Sequence, residues 1–296
     1  MQTALIFGAN GQDGHYLHHL LLEKGIAVTG VSRSGEWLHG DVRDYQFVKD
    51  LIKRLRPDYI FHLAANSTTA HEVWQENHET ICSGTLYILE SVKEFCPGCK
   101  VFISGSGLQF ENSGKPIHET DPFHAGSPYA VSRIHSVYAA RYYHSLGIPV
   151  YTGYFFNHES PLRSERHMSK KIASFAKGIA AGKTDTLAIG DLNVQKEWAF
   201  AGDIVNGIWT LISQNEVSEA VIGSGLSYSI SDWLYACFEL IGMEWYSYIK
   251  PIPGFKPEYS HLVSNPSTMS KLGWTAAHSF KELATMMMQP DSTSGS

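Results

Sequence analysis

Apolar and polar positions along this 296-residue chain follow two periods in alternation. Short apolar runs that fit buried strands lie at Ala4-Leu5-Ile6-Phe7, Ala27-Val28-Thr29-Gly30-Val31, Tyr59-Ile60-Phe61-His62-Leu63, Val101-Phe102-Ile103-Ser104 and 150–156. Between them lie segments of helical spacing. These are 16–24, with apolar residues at 17, 20, 21 and 22, then 47–55, then 80–94, with Leu86, Leu89 and Val92 on one side, then 127–146. Repeated βα units predict an α/β fold, a doubly wound parallel sheet of Rossmann type with helices on both faces. Further helices are expected over 170–182, 232–240 and 280–288, and the polar stretch 289–296 is expected to be disordered.

The first βα junction carries the strongest chemical signal. Gly8-Ala9-Asn10-Gly11-Gln12-Asp13-Gly14 joins the first strand to the first helix with glycines in a G-x-x-G-x-x-G pattern. Glycine lets the backbone turn sharply, approach a pyrophosphate and bring helix close to strand. The anion then sits at a helix N-terminus. The turn therefore predicts dinucleotide binding.

Other candidates fall at the C-terminal ends of strands, where ligands bind in such sheets. After the second strand, Arg33 suits a 2′-phosphate, which favours NADP with NAD as the alternative. Asp41 and Val42 follow. The Asp41 carboxylate can accept from an adenine amino group or cap the next helix. Leu63, Ala64 and Ala65 end the third strand with residues that admit a cofactor backbone. Ser104-Gly105-Ser106-Gly107 ends the fourth strand. Tyr129 and Arg133, four apart on one helix, share a face. A tyrosine beside a fixed cation serves as a general base toward a sugar hydroxyl; the same pair also reads as a stacked surface contact.

Composition narrows the classes. A net charge of −6 argues against a general nucleic-acid binder. No apolar run reaches the length of a membrane span, and a first strand beginning at residue 3 leaves no room for a signal peptide, so the cytoplasm is expected. Among four cysteines, Cys96-Pro97-Gly98-Cys99 has the spacing of a redox or metal pair. No second pair completes a zinc site, and Pro-Gly also suits a plain turn before the next strand, so no metal is expected.

Taken together, the motifs resemble the extended short-chain dehydrogenase/reductase family, and within it the GDP-mannose 4,6-dehydratases. The resemblance rests on Ala4 to Gly14, Pro122-Phe123, Ser127-Pro128-Tyr129, and Phe156-Asn157-His158-Glu159-Ser160-Pro161 with Arg163 and Lys171-Ile172. It continues through Gly190-Asp191-Leu192, Glu197-Trp198, Asp203-Ile204-Val205, Lys256-Pro257-Glu258 and Lys271-Leu272-Gly273-Trp274. It implies a Rossmann cofactor-binding domain over 1–156 with a return segment near 199–225. A smaller C-terminal α/β lobe, 157–198 and 226–288, would hold a nucleotide diphospho-sugar, GDP-linked. It implies hydride abstraction at C4 of the sugar and loss of water across C5 and C6, with Asn157, Glu159, Lys171, Lys196 and Lys256 toward the substrate. It also implies a homodimer or homotetramer through the helices near 80–94 and 127–146, where Tyr138, Tyr142 and Tyr143 lie.

The chain departs from that family on the chemistry. The family threonine aligns with Gly105, its glutamate with Gly107 and its lysine with Arg133, while Tyr129 is unchanged. Ser104 and Ser106 flank the first gap as candidate replacements. Three readings follow: a GDP-mannose 4,6-dehydratase-like enzyme, an NADPH-dependent 4-keto nucleotide-sugar reductase or epimerase, or a catalytically impaired cofactor- and sugar-binding protein.

Overall fold

The computed structural model describes residues 1–290. The first half runs β1 (Thr3–Phe7), α1 (Gln12–Glu23), β2 (Ala27–Ser32), β3 (Leu38–His39), α2 (Tyr45–Leu55), β4 (Tyr59–His62), α3 (Trp74–Asn77), α4 (Gly84–Phe95), β5 (Lys100–Ser106), α5 (Pro128–Ser145) and β6 (Val150–Phe155). The second half runs β7 (His158–Glu159), α6 (Met168–Ala180), β8 (Leu187–Ile189), β9 (Gln195–Glu197), β10 (Ala199–Phe200), α7 (Ala201–Ser213), β11 (Glu219–Ile222), β12 (Ser227–Ser229), α8 (Ile230–Glu239), β13 (Ile249–Pro251), β14 (His261–Leu262), α9 (Ser267–Lys271) and α10 (Phe280–Met288).

Seven strands form one parallel sheet in the order β11-β6-β5-β4-β1-β2-β3. This is the doubly wound Rossmann-type sheet that the alternation predicts. Strand β1 alternates between two cores: Ala4 and Ile6 pack on one face, Leu5 and Phe7 on the other. Burial on both faces explains why its sequence is continuously apolar. The strand order reverses at β1, and a ligand crevice opens there.

Several boundaries shift for identifiable reasons. Helix α1 starts at Gln12 rather than 16, because Gly11 caps it and Gly14 lies in its first turn against Ala9. The expected helix over 80–94 begins with a π-helical stretch, His78–Ser83, which leads into α4 and sets the Thr80 carbonyl 3.1 Å from His62 Nε2. Asp41 does not cap α2; Asp44 does, accepting from the Phe47 N–H. Helix α5 has Ser127 as its cap and Pro128 in its first turn. Residues 291–296 of the tail expected to be disordered lie outside the described residues.

After β7 the chain builds a second core from α6, α8, α10 and the short strands, centred on Trp198 and Trp233 stacked 4.7 Å apart. It returns to the sheet through α7, whose Ile204, Val205 and Ile208 share the core of Ile6, Leu17 and Leu21. Among the described residues no helix is long and apolar enough to cross a membrane.

Glu197 fastens these parts together. Its buried carboxylate accepts from the Ser224, Gly225 and Ser264 N–H groups, joining β9 to the segments after β11 and β14. Substituting Glu197→Gln replaces an acceptor oxygen by a donor facing those N–H groups. A loss of about 1–3 kcal/mol is expected, the cost of an unsatisfied buried polar group, read as a lower urea midpoint at unchanged slope.

Candidate active site

The C-terminal ends of β1, β4, β5 and β6 open into a cleft of about 590 Å³. The glycine turn, with Gly8, Asn10, Gly11, Gln12, Asp13 and Gly14, forms one wall. Ser104, Ser106, Tyr129 and Arg133 lie in the middle, and Asn157, Glu159, Arg163 and Lys196 on the far side. A smaller pocket of about 210 Å³ adjoins it, walled by Arg33, Asp41, Val42, Leu63, Ala64 and Ala65.

The turn has the shape of a dinucleotide cradle. Gly8 has φ +93°, and a Cβ there would lie 2.7 Å from the Ala64 nitrogen. A Cβ on Gly14 would lie 2.5 Å from the Gly8 carbonyl oxygen. Only glycine fits both places, and the first turn of α1 therefore points its N–H groups into the cleft. The Asn10, Gln12 and Asp13 side chains also bond within the chain. Asn10 Nδ2 donates to Ser34 Oγ at 3.1 Å. Gln12 donates to the His158 carbonyl and accepts from Ser160 Oγ at 2.9 Å. Asp13 pairs with His158 Nε2 at 3.0 Å.

Arg33 lines the adjoining pocket, and Asp41 on its wall pairs with Arg43. Arg33 is largely exposed and pairs with Glu76 at 3.0 Å. Arg43, absent from the candidates read in the sequence, is gripped by both oxygens of Asp41. The Asp41 carboxylate is thus committed to a guanidinium rather than free for an adenine amino group. Burial alone would raise its pKa, but the bonds from Arg43 carry it below the usual carboxylate range. The only sequence cue to Arg43 is its place two residues after Asp41.

Tyr129 and Arg133 meet as their spacing predicts. Arg133 Nε donates to the Tyr129 oxygen at 3.1 Å, so the phenolic proton is left for another acceptor. The guanidinium also spans to the end of β5, where Nη1 donates to the Ser104 carbonyl and to Ser104 Oγ at 2.9 Å. Arg133 is 5% exposed. Its fork is therefore largely spent inside the chain, where a single ammonium would make one point contact. Ser104 Oγ in turn donates to the His62 carbonyl at 3.0 Å, so Ser104 has no free proton. Ser106 Oγ accepts from the Leu108 N–H and keeps its own proton for the cleft. Burial and the Arg133 charge push His62 down to about 3, which keeps it neutral under this site.

The two glycines at the end of β5 are filled in by aromatic rings. A Cβ on Gly105 would lie 2.5 Å from the Tyr154 ring, and one on Gly107 would lie 2.8 Å from the Phe156 ring. In the parallel register Gly105 faces Tyr154 and Ser106 faces Phe155, so Ser106 stands on the opposite face of the strand from position 105.

Beyond Tyr129 the wall is cationic. Lys196 lies over the Trp198 ring, its ammonium 4.4 Å from the centroid. Burial lowers its pKa, partly offset by Glu159. Arg163 is held at 3.0 Å by Glu159, which is 2% exposed and also accepts from Ser169 Oγ. Glu159 thus fixes the arginine rather than presenting a carboxylate to a ligand. Two expected substrate contacts are absent from the cleft wall. Helix α6 begins at Met168 and buries Ser169, Lys170, Ile172 and Ala173, so Lys171 falls on its exposed side. Lys256 is exposed in the loop before β14, and Glu258 lines the cleft instead, accepting from Thr69 Oγ1 at 3.3 Å. Arg166 and His167 also line it, with no periodicity in the sequence to mark them. Among the described residues no group of three or more His, Cys, Asp or Glu side chains is placed to hold a metal.

The Asp13–His158 pair links this wall to the glycine turn and carries a pH signature. Burial alone would lower His158, but the Asp13 charge and hydrogen bond outweigh it and raise its pKa. For Asp13, burial alone would raise the pKa, but His158 and Arg163 outweigh it and lower it. A raised histidine stabilises fully below its unfolded value of about 6.5 and loses that contribution as pH rises through the folded value. A lowered aspartate stabilises above about 3.9 and loses that as pH falls through its folded value. Thermal stability is therefore expected to decline as pH rises above about 6.5, and His158→Asn is expected to flatten that decline in melts across about pH 5–9.

Comparison with known proteins places this geometry. The family model for GDP-mannose 4,6 dehydratase matches residues 5–287. GDP-mannose 4,6 dehydratase 1 of Arabidopsis thaliana is 30% identical over 98% of this chain and 90% of its own length. Among solved structures, the UDP-glucose 4-epimerase of Thermus thermophilus with NAD has a TM-score of 0.84 at 21% identity, over 97% of this chain and 98% of its own. RMD from Pseudomonas aeruginosa with NADPH has a TM-score of 0.83 at 19% identity, over 97% and 96%. Those structures share the fold; the family model and the plant relative run through the glycine turn, the Tyr129 helix and the cationic wall alike. The chain is a member of the GDP-mannose 4,6-dehydratase family of nucleotide-sugar enzymes.

Proposed function

We propose that this chain is an NADP-dependent, GDP-mannose 4,6-dehydratase-like enzyme acting on a GDP-linked hexose. The observation that carries the reading is one cleft joining a glycine cradle, a Tyr–Arg pair and a cationic wall. That order suits the pyrophosphate of a dinucleotide, a sugar ring and a diphosphate in turn. The residues fit the cofactor: a Cβ on Gly8 would fill the cradle, and Arg33 lines the adjoining pocket. NADP, when bound, accepts a hydride and returns it. Around it, the first turn of α1 holds the pyrophosphate and Arg33 the 2′-phosphate. Tyr129 takes the proton of the C4 hydroxyl, and Arg133 steadies the phenolic oxygen. Lys196 and Arg163 neutralise the diphosphate of the substrate, and Asn157 orients the sugar.

A specific observation favours a second reading. Position 107 offers no carboxylate, and Phe156 occupies the space a side chain there would enter. Removal of the C5 proton therefore rests on another group of the cleft. Reduction of a 4-keto nucleotide sugar needs Tyr129 as proton donor and no base at C5.

Incubation with NADP and GDP-mannose in heavy water separates the readings. The expected product is lighter by one water and carries deuterium at C5. NADPH consumption with a 4-keto nucleotide sugar and no C5 exchange establishes the reductase instead. Neither reaction, with both ligands bound, overturns the enzymatic reading. Tyr129→Phe is expected to lower kcat by about 10²–10⁴-fold, the range for a positioned acid or base.

The cofactor form has its own test. Arg33→Ala is expected to weaken NADP in calorimetric titration by at least about tenfold, an effect of about 1.4 kcal/mol, while leaving NAD unchanged. Equal losses for both cofactors would remove Arg33 from 2′-phosphate recognition.

A further inference from the structure

The four cysteines occupy unlike environments. Cys82 and Cys237 are 2% and 0% exposed, and burial raises both thiols above their usual range. Cys96 and Cys99 instead bracket the corner between α4 and β5. The Cys96 N–H donates to the Val92 carbonyl and ends α4. The Cys99 N–H donates to the Cys96 carbonyl at 2.8 Å, so Pro97 and Gly98 form the tip of a tight turn. Such a turn holds its end Cα atoms within about 7 Å, inside the reach of a disulfide.

The buried Cys99 thiol lies 3.7 Å from the Lys100 carbonyl, and Cys96 is half-buried on the other side of the turn. The neighbouring Cys99 thiol and the charge of Arg56 outweigh burial and lower the Cys96 pKa. Arg56 reaches this corner from the end of α2, where its backbone is left-handed at φ 40°. Approach from solvent is open: Pro97 and Gly98 are exposed, and a Cβ on Gly98 would meet no atom within 4 Å. An accessible thiolate with a buried neighbour is the arrangement of an attacking and a resolving cysteine.

We propose that Cys96 and Cys99 form a thiol–disulfide exchange site that takes a low-molecular-weight disulfide. The Cys96 sulfur bonds to one sulfur of the incoming disulfide, whose S–S bond breaks to release one thiolate. Cys99 then gives up its proton, its sulfur bonds to Cys96 Sγ, and the second thiolate leaves. The protein dithiol is oxidised by two electrons and the small disulfide is reduced to two thiols. A bridge closing so short a loop gains little from chain entropy, so it is readily reversed. The pair sits at the start of β5, whereas the cleft residues Ser104 to Gly107 lie at its other end. The site is independent of the nucleotide-sugar reading.

The test is exposure of the full-length protein to glutathione disulfide, followed by thiol counting and peptide mass mapping. Two of the four thiols are expected to disappear, with a 96–99 bridge and no retained glutathione. In Cys99→Ser one glutathione is expected to remain on Cys96, and in Cys96→Ser none is expected anywhere. Iodoacetamide is expected to label Cys96 at least about tenfold faster than Cys82 or Cys237, as exposure and thiolate fraction require. Arg56→Gln is expected to slow that labelling and move its pH midpoint upward. Four free thiols after treatment, glutathione stably held on wild-type Cys96, or equal labelling of all cysteines would overturn the proposal.

Discussion

At Gly8 the backbone takes φ +93° and passes so close to the loop after β4 that a Cβ would lie within 3 Å of both Leu63 and Ala64. The rest of the cleft is hung from this approach. It aims the first turn of α1 at the cofactor pocket, and it puts Gln12 and Asp13 where they reach His158 and Ser160. Those bonds carry the position of the turn across to β7. Glu159 on the same strand then fixes Arg163, and the cationic wall follows. A substitution at Gly8 therefore acts on both ends of the cleft, through strained backbone first and through lost cross-links second.

The departures at the end of β5 are built into the packing and are not gaps. Tyr154 lies where a side chain at 105 would go, and its hydroxyl donates to Glu219, which also pairs with Arg141. Phe156 does the same at 107 and belongs to a core cluster with Phe110, Val137 and Leu262. Placing a threonine at 105 and a glutamate at 107 would require two buried rings to move, and overpacking of this kind costs about 1–3 kcal/mol per site. The pocket is closely packed around its glycines, and Arg133 ties into the same region. Its guanidinium binds Tyr129 and Ser104 together, which makes the end of β5 and the start of α5 one rigid unit.

On the far wall a single buried carboxylate faces more than one cation. Glu159 is drawn down by both Arg163 and Lys196, and it offsets only part of their charge. The wall therefore keeps a net positive character. His167, pushed down to about 4 by burial and by Arg163, adds no charge near neutral pH. A diphosphate entering here meets two fixed cations in a partly dry setting, where Coulomb attraction is stronger than in water.

The sequence by itself determined whatever depends on local chemistry. The glycine turn was legible because left-handed backbone and close approach exclude side chains whatever the surroundings. The strands were legible because burial on both faces demands continuous apolar runs, and Tyr129 with Arg133 because residues four apart share a helix face. Tertiary structure alone decided what depends on residues distant in the chain. Gln12 and Asp13 turn out to serve His158 and Ser160, more than 140 positions away. Lys170 rather than Lys171 turns inward because the packing of α6 fixes the phase of its faces. Tyr154 and Phe156 fill the space beside Gly105 and Gly107. No local pattern encodes that, since the direction of a ring is set by the strands and helices packed around it.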